Sequence, residues 1–357
     1  MNNKLRNIFC GIGVIAISLV VVFGTMLIYL SIREYKPERK EIIQIKNQET
    51  GEKLKKDQEI SVLTWNVGYG ALSETEDFFM DGGKDVRPES RILVQNNLNQ
   101  MKDVIKKTNS KVVFLQEIDK NSKRSYHINE VNTLAKGWKG NWAYARNFLC
   151  DYIPYPMPTI GQVDAGLVTL NRFQVSEAVR YSLPTPFSWP LRVCQLKRCL
   201  LMERVPINGS QKEVVFVNLH LEAYDNGSGK KAQTRILAEI LQKEYDKGNY
   251  VIAGGDFNQT FQQVDQRKYP IWDDENFQAG EVDEAVFQNG WKFATDDSFP
   301  TCRLLNRPYD RKDEKTQFYV IDGFIVSPNV EICNVTTLNE DFKNSDHNPV
   351  QIKIKLK

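Results

Sequence analysis

Histidine is scarce in this chain, with three in 357 residues. The six cysteines (Cys10, Cys150, Cys194, Cys199, Cys302 and Cys333) include no C-x-x-C pair. A zinc centre, which draws on Cys and His in number, is therefore not expected. Five of the cysteines lie beyond the N-terminal segment, an odd number that permits a disulfide such as Cys194 with Cys199 without requiring one. No glycine-rich phosphate loop, internal repeat or low-complexity stretch occurs, which sets aside P-loop chemistry and repeat architectures. A basic surplus is missing as well. Of 47 basic and 45 acidic side chains, ten basic and seven acidic fall within the first 60 residues, so the remainder is near neutral. A dedicated nucleic-acid binder shows a basic stripe or excess. Nucleic acid thus stays an alternative partner that the charge does not favour, and no partner protein is implied.

What the chain does have is an apolar fraction of 41%, enough for a sizeable core. Residues 8–30 form an almost wholly apolar run, and about 20 such residues suffice to cross a bilayer as a helix. A cleaved secretory signal competes, because Lys4 and Arg6 make a small basic region ahead of the run. The run is long for a signal core and no small-x-small cleavage site follows it, so the expectation is a single-pass anchor over 8–32 behind a short basic tail, 1–7. Residues 33–59 hold eight Lys/Arg and seven Asp/Glu and are expected to form a charged, solvated stalk. Residues 60–357 are expected to be the catalytic domain. Lys4 and Arg6 on one flank face Arg33, Lys36, Arg39 and Lys40 on the other, a count that by itself would keep the C-terminal flank inside. The signal-like start tips the expectation to an extracytoplasmic domain.

From residue 60 onward β-rich runs alternate with helical spacing. Strands are expected at 60–65, 111–115, 165–170, 213–219, 250–253, 317–326 and 350–356, several of them apolar throughout and so buried on both faces. Val94, Leu98, Met101 and Ile105 share one helical face, as do Ile236, Leu237, Ile240 and Leu241. The pattern indicates one α/β domain. Longer loops at 70–88, 119–162, 183–198 and 259–316 are where substrate recognition is expected.

Short polar islands follow the apolar runs: Trp65-Asn66, Gln116-Glu117, Leu219-His220, Gly255-Asp256-Phe257-Asn258 and Ser345-Asp346-His347. Carboxylate, amide and imidazole groups at strand ends can converge on one edge of a sheet. Glu117, Asp346 and the amide oxygen of Asn66 are hard oxygen donors suited to magnesium, with manganese as the alternative. His220, Asp256, Asn258 and His347 suit a water nucleophile and the charge that develops on phosphate. Singly, each residue has a plainer role as a turn residue, a helix cap or a surface hydrogen bond.

Taken in order, with Ile321-Asp322-Gly323-Phe324 and Ser345-Asp346-His347-Asn348-Pro349-Val350, the islands resemble the endonuclease/exonuclease/phosphatase, or DNase-I-like, superfamily over about 60–357. Six pieces in the right order are highly specific. The resemblance implies a four-layer α/β sandwich of two packed mixed β-sheets flanked by helices, with the site at one edge. Position by position it implies metal ligation by Glu117, with Asn66 and Asp346 close by. It gives Asp256 the attacking water, Asn258 the water and a phosphate oxygen, and His220 a non-bridging oxygen. His347 acts on phosphate or nucleophile, oriented by Asp322. The implied activity is metal-assisted hydrolysis of a phosphoester.

Gln259-Thr260 departs from the inositol-phosphatase pattern, and Ile321-Asp322-Gly323-Phe324 departs from both that branch and the abasic-site nucleases. A small or lipid-linked phosphoester is the expected substrate. The alternatives are a nuclease cleaving DNA or RNA, and a non-catalytic binding module of the same fold. Two proline-aromatic segments, 152–158 and 183–190, are candidates for packing over the sandwich rim or dipping into a membrane interface. Arg192, Lys197 and Arg198, and also Lys123 and Arg124, are candidate phosphate contacts. His127 matches no motif and reads as a loop or helix-start residue.

Overall fold

The apolar runs bounded by polar islands become the central strands of a computed structural model that describes residues 3–47, 51–272 and 276–357. In chain order, helix α1 (Asn3–Ile32) precedes β1 (Lys40–Ile42), β2 (Ile60–Asn66), α2 (Arg91–Thr108) and β3 (Val112–Asp119). Next come α3 (Glu130–Ala135), β4 (Asn141–Ile153), β5 (Gly161–Asn171), β6 (Glu177–Ser182), β7 (Cys199–Pro206) and β8 (Glu213–His220). Helix α4 (Ser228–Asp246), β9 (Tyr250–Asp256), β10 (Lys292–Ala294), β11 (Asp322–Val326), β12 (Val330–Thr337) and β13 (Val350–Leu356) complete the main elements.

The strands form two mixed sheets, ordered β12-β13-β2-β3-β5-β4 and β1-β6-β7-β8-β9-β11-β10. In each sheet one pair is parallel, β2 with β3 and β8 with β9. Phe114, Phe216 and Phe324 meet between the sheets with Val62, Ile252 and Ile352 in the same buried cluster. α2 covers the outer face of the first sheet through Val94, Leu98 and Met101, and α4 covers the second through Leu237 and Leu241. Ser90 caps α2 by accepting the Leu93 N–H at 3.2 Å. The result is the expected four-layer sandwich.

Six strands, β1, β4, β6, β7, β10 and β12, lay outside the sequence expectation. β4 falls in the supposed 119–162 loop, because Arg146 and Asp151 break its apolar run even though alternate residues are buried. β6, β7 and β12 were missed for a similar reason. β7 carries Glu203 and Arg204 in its interior, and polar residues facing partners inside the protein look like loop in sequence. The expected 317–326 strand is interrupted, with a short bridge at Phe318–Tyr319 and β11 beginning at Asp322.

The expected stalk, 33–59, does not stand free. β1 pairs with β6 through Lys40↔Tyr181, Glu41↔Arg180 and Ile42↔Val179. Lys46 bridges Trp142, Glu52 bridges Phe173 and Leu54 bridges Ile207. Backbone pairing is indifferent to surface charge, and Ile43, Ile45 and Leu54 supply enough apolar contact to hold the segment down. Full burial of one side chain such as Leu54 contributes about 1.5–3 kcal/mol. Residues 48–50 of this segment lie outside the described residues.

Within α1, Phe9–Ile32 is one apolar stretch of 24 residues, long enough to cross a membrane. Its last turns meet the domain, where Leu30 is buried with Phe148, Cys150, Ile153 and Val193. Cys194 does not approach Cys199, which is buried in β7. Its Sγ lies 3.5 Å from that of Cys150 instead.

Candidate active site

The two parallel pairs bring their C-terminal ends to one edge of the sandwich. Asn66 stands opposite Gln116 on β2 and β3, and His220 stands opposite Asp256 on β8 and β9. The antiparallel neighbours enter from the same edge. β11 begins with Asp322 opposite Asp256, and β13 begins three residues after His347. All eight residues singled out from the sequence, Asn66, Glu117, His220, Asp256, Asn258, Asp322, Asp346 and His347, meet there.

Asp256 is the hub. Its Oδ2 accepts from Asn66 Nδ2 at 3.0 Å and lies 3.4 Å from His220 Nε2 and 3.7 Å from His347 Nε2. Its Oδ1 accepts the Asn258 backbone N–H at 2.8 Å. Asn66 Nδ2 also donates to Glu117 Oε1 at 3.1 Å, and that oxygen is 3.9 Å from His220 Nε2. His347 Nδ1 is 2.8 Å from Asp322 Oδ2, and its Nε2 is 3.9 Å from Asp346 Oδ2.

One expectation changes. The amide oxygen of Asn66 accepts the Gly68 backbone N–H at 3.0 Å, and a backbone N–H cannot pair with an amide NH₂. The end of Asn66 that faces the carboxylates is therefore the donor, not the oxygen expected beside a metal.

The backbone bends to aim two of these groups. β3 carries a bulge between Leu115 and Ile118, where Glu117 adopts φ 54°, and Asn258 adopts φ 51°. Left-handed non-glycine residues cost roughly 1–3 kcal/mol and collect at functional sites. Gly255 has no room for a Cβ, which would collide with the Leu219 carbonyl on the neighbouring strand. Behind the site, Asn218 ties the sheets together. It accepts from Gln116 Nε2 at 2.8 Å and donates to the carbonyls of Leu115 and Val168 at 3.2 and 2.9 Å. Trp65 Nε1 holds the His347 carbonyl at 2.9 Å, and Ser345 Oγ holds that of Asn66 at 2.8 Å.

Burial drives the electrostatics. It pushes Asp256 up to about 6, reinforced by Asp322 and offset by His347 and Asn66. It pushes Asp346 up to about 7, where His347 and Arg303 offset it and Glu117 reinforces it. It also holds His220 well below the ordinary imidazole value, helped by the charges of Arg198 and His347. For His347, burial disfavours the charge, but Asp322, Cys302, Asp256 and Asp346 together outweigh it and raise the imidazole.

The sequence profile of the Endonuclease/Exonuclease/phosphatase family matches residues 63–347. The chain belongs to that family. An endonuclease/exonuclease/phosphatase protein from Beutenbergia cavernae DSM 12333 superposes with TM-score 0.59 at 18% identity, covering 84% of this chain and 72% of that one. A functionally unknown conserved protein from Enterococcus faecalis V583 gives 0.53 at 16%, covering 84% and 100%. TDP2 from D. rerio, complexed with single-strand DNA product, gives 0.50 at 15%, covering 84% and 100%. At these identities the likeness concerns the fold. No curated protein sequence matches the chain.

Members of the endonuclease/exonuclease/phosphatase family are phosphoester hydrolases that in general depend on divalent metal. The donor set here fits such an ion. Asp256, Asp322 and Asp346 stand around His347 and Glu117 beside His220, and burial raises Asp256 and Asp346. Ligand atoms of Asp256, Asp322 and His347 lie within 4.8 Å of one another, as do those of Cys302, Asp346 and His347. Oxygen dominates the set, which favours a hard cation.

Three family-site neighbours escaped the sequence reading. Asp81 accepts from Tyr224 Oη at 2.8 Å, and burial pushes it up to about 6. Arg303 donates to the carbonyls of Ser73 and Glu76 at 2.8 and 3.1 Å, and its backbone N–H to that of Asp346 at 3.0 Å. They come from a 3₁₀ turn (Asp81), a loop (Tyr224) and a two-residue strand (Arg303), all too short for periodicity to mark them.

Of the candidate phosphate contacts, Arg124 is instead paired with Asp119 at 3.0 and 3.1 Å and lies over the Tyr69 ring. Arg192 and Lys197 hold Glu34. Arg198 is buried and ion-paired with Glu222, Nε to Oε2 3.8 Å, while its Nε and Nη1 make no hydrogen bond among the described residues. His127 sits exposed beside Asn121, with Nδ1 and Oδ1 2.7 Å apart.

Proposed function

We propose that the chain is a membrane-anchored phosphoester hydrolase that uses magnesium, or alternatively manganese, to cleave a small or lipid-linked phosphoester by water attack on phosphorus. Residues 8–32 serve as the anchor after the basic tail 1–7, and 60–357 as the catalytic domain on the extracytoplasmic side. The observation that carries the reading is the position of Asp256 Oδ2, within 3.7 Å of Asn66 Nδ2, His220 Nε2 and His347 Nε2 at once.

Glu117 and Asp346 hold the metal, which when bound neutralises phosphate charge. Asn66 braces Glu117 and Asp256 through its NH₂. Asp256, its carboxylate loosened by burial, orients the water and accepts its proton. Asn258, held in its left-handed turn, steadies the water and a phosphate oxygen. His220 is kept neutral by its surroundings, so it donates one N–H to a non-bridging oxygen. His347 carries its charge against Asp322 and stabilises the negative charge that develops on the phosphoryl group.

A nuclease reading is supported by one observation, the DNA product bound to the D. rerio TDP2 neighbour. The discriminating experiment uses the full-length protein in vesicles and follows magnesium-dependent product release from plasmid DNA, RNA, sphingomyelin and inositol phosphates side by side. Selective cleavage of a lipid or small phosphoester supports the proposal. Cleavage of nucleic acid alone, falling steeply with salt, replaces it with the nuclease.

A further inference from the structure

The end of α1 is fastened to the end of β4 and to the segment 183–198 that follows β6. Trp189 Nε1 donates to Ser31 Oγ at 3.1 Å, and Tyr29 Oη and Arg33 Nε both donate to Asp151 Oδ2 at 2.9 and 2.8 Å. Arg192 and Lys197 close on Glu34 at 2.9 and 3.1 Å. Leu30 is buried between them, against Phe148 and Ile153 of β4 and Val193 of the 183–198 segment. The domain therefore sits in a set orientation on the helix end.

Depth follows from length. The apolar stretch Phe9–Ile32 has 24 residues, about 36 Å at helical rise, against a hydrocarbon core of roughly 30 Å. The final turn, which carries Tyr29 and Ser31, thus lies at headgroup level. The end of β4, with the loop that continues it from residue 154, and the 183–198 segment lie at the same level.

Those loops present exposed apolar side chains. Tyr155 is 70% exposed, Met157 84%, Trp189 57% and Leu191 67%. Water is a poor environment for such a cluster, whereas aromatic rings with one polar edge and a flexible thioether suit the boundary between headgroups and acyl chains. The same loops border the catalytic edge. Tyr155 packs edge-on against Phe79, with ring centroids 5.9 Å apart, two residues before Asp81. The Pro184 carbonyl accepts from Gln233, whose own amide oxygen accepts the Glu222 N–H just beyond His220.

We propose that Tyr155, Met157, Trp189 and Leu191 form a docking surface that inserts into the headgroup region of the bilayer holding α1, and so sets the catalytic edge beside lipid headgroups. This deepens the membrane-anchored reading and rests on it. Its occupant is phospholipid. The argument for that occupant is continuity with the anchor, because the surface begins at the side chain bonded to Ser31.

The test uses full-length protein in phosphatidylcholine vesicles, either plain or brominated on the acyl chain just below the headgroup. Bromine quenches indole fluorescence at short range. The expected result is quenching in the wild type, its loss in Trp189→Phe, and its return when Met157→Trp is added to that variant. Equal fluorescence in both vesicle types, for the wild type and for the Met157→Trp variant, overturns the docking surface and leaves the loops covered by protein or water. Magnesium-dependent hydrolysis of bis(p-nitrophenyl) phosphate is read on the same samples. Turnover without quenching overturns the docking surface alone, whereas quenching without turnover leaves it standing and overturns the proposed catalysis.

Discussion

The amide nitrogen of Asn66 lies between two carboxylates, 3.1 Å from Glu117 Oε1 and 3.0 Å from Asp256 Oδ2. One NH₂ group thereby fixes the spacing of two carboxylates carried on different sheets. Asn66→Asp replaces that donor with a third acidic oxygen facing the other two. The expected outcome is a fall in kcat/KM of about 10²–10³-fold, the scale of removing one oriented donor. Asn66→Ala is expected to lose activity while weakening magnesium binding less than Glu117→Ala. Steady-state rates with a magnesium titration of each variant check this, and equal loss of metal binding in both would make Asn66 a ligand after all.

His347 depends on Asp322, 2.8 Å from its Nδ1. Asp322→Asn removes the carboxylate that does most to raise this imidazole. His347 then loses its proton at lower pH, so the alkaline limb of the pH–rate profile should move down, with a 10- to 100-fold drop in rate, roughly the range for partners that orient site groups. An unshifted profile would mean that His347 does not work in its charged form.

Asn218 is predicted to matter for both stability and catalysis. Its three hydrogen bonds join β8 to β3 and β5 directly behind His220 and Glu117. Asn218→Leu leaves Gln116 Nε2 with Thr64 Oγ1 alone and takes the amide donor from the Leu115 and Val168 carbonyls in the core, at a cost of about 2–4 kcal/mol. Chemical denaturation reads the loss, and a change below about 0.5 kcal/mol would show that the seam is not a structural tie.

Glu203 gives a pH signature independent of the active site. It is fully buried, accepts only from Asn171 at 2.9 Å, and burial pushes it up to about 8. The folded state therefore holds a proton that the unfolded chain releases near pH 4.3. Stability from this residue is intact below that value and is lost as pH rises towards 8. Glu203→Gln keeps the shape of the protonated form and removes the slope. Its melting temperature should exceed that of the wild type by several degrees at pH 9 and match it within about 1 °C at pH 5. A constant difference across that range would contradict the assignment.

Much of this was legible in the sequence because strand ends and site residues coincide. Asp256 follows Val251-Ile252-Ala253 and His220 follows Val214-Val215-Phe216-Val217, so the apolar run and the polar island together announce a buried strand opening onto a site. The orientation of Asn66 was not legible, since the two ends of an amide differ only in what they meet, and here Gly68 decides it. Asp81, Tyr224 and Arg303 escaped because they arrive on a 3₁₀ turn, a loop and a two-residue strand, none long enough to show periodicity. The segment 33–59 misled through its charge, when three apolar side chains and backbone pairing to β6 were enough to fix it.

The central claim is that Glu117 and Asp346 hold a divalent ion that makes this site hydrolytic. The most direct test is the rate of bis(p-nitrophenyl) phosphate hydrolysis by the full-length protein as magnesium is titrated, in the wild type, Glu117→Ala and Asp346→Ala, with melting curves for each. The account predicts saturable magnesium dependence in the wild type and a loss of roughly 10³-fold or more in either variant, with melting transitions that remain cooperative. Wild-type turnover in a chelator, or activity retained in both variants, would contradict it.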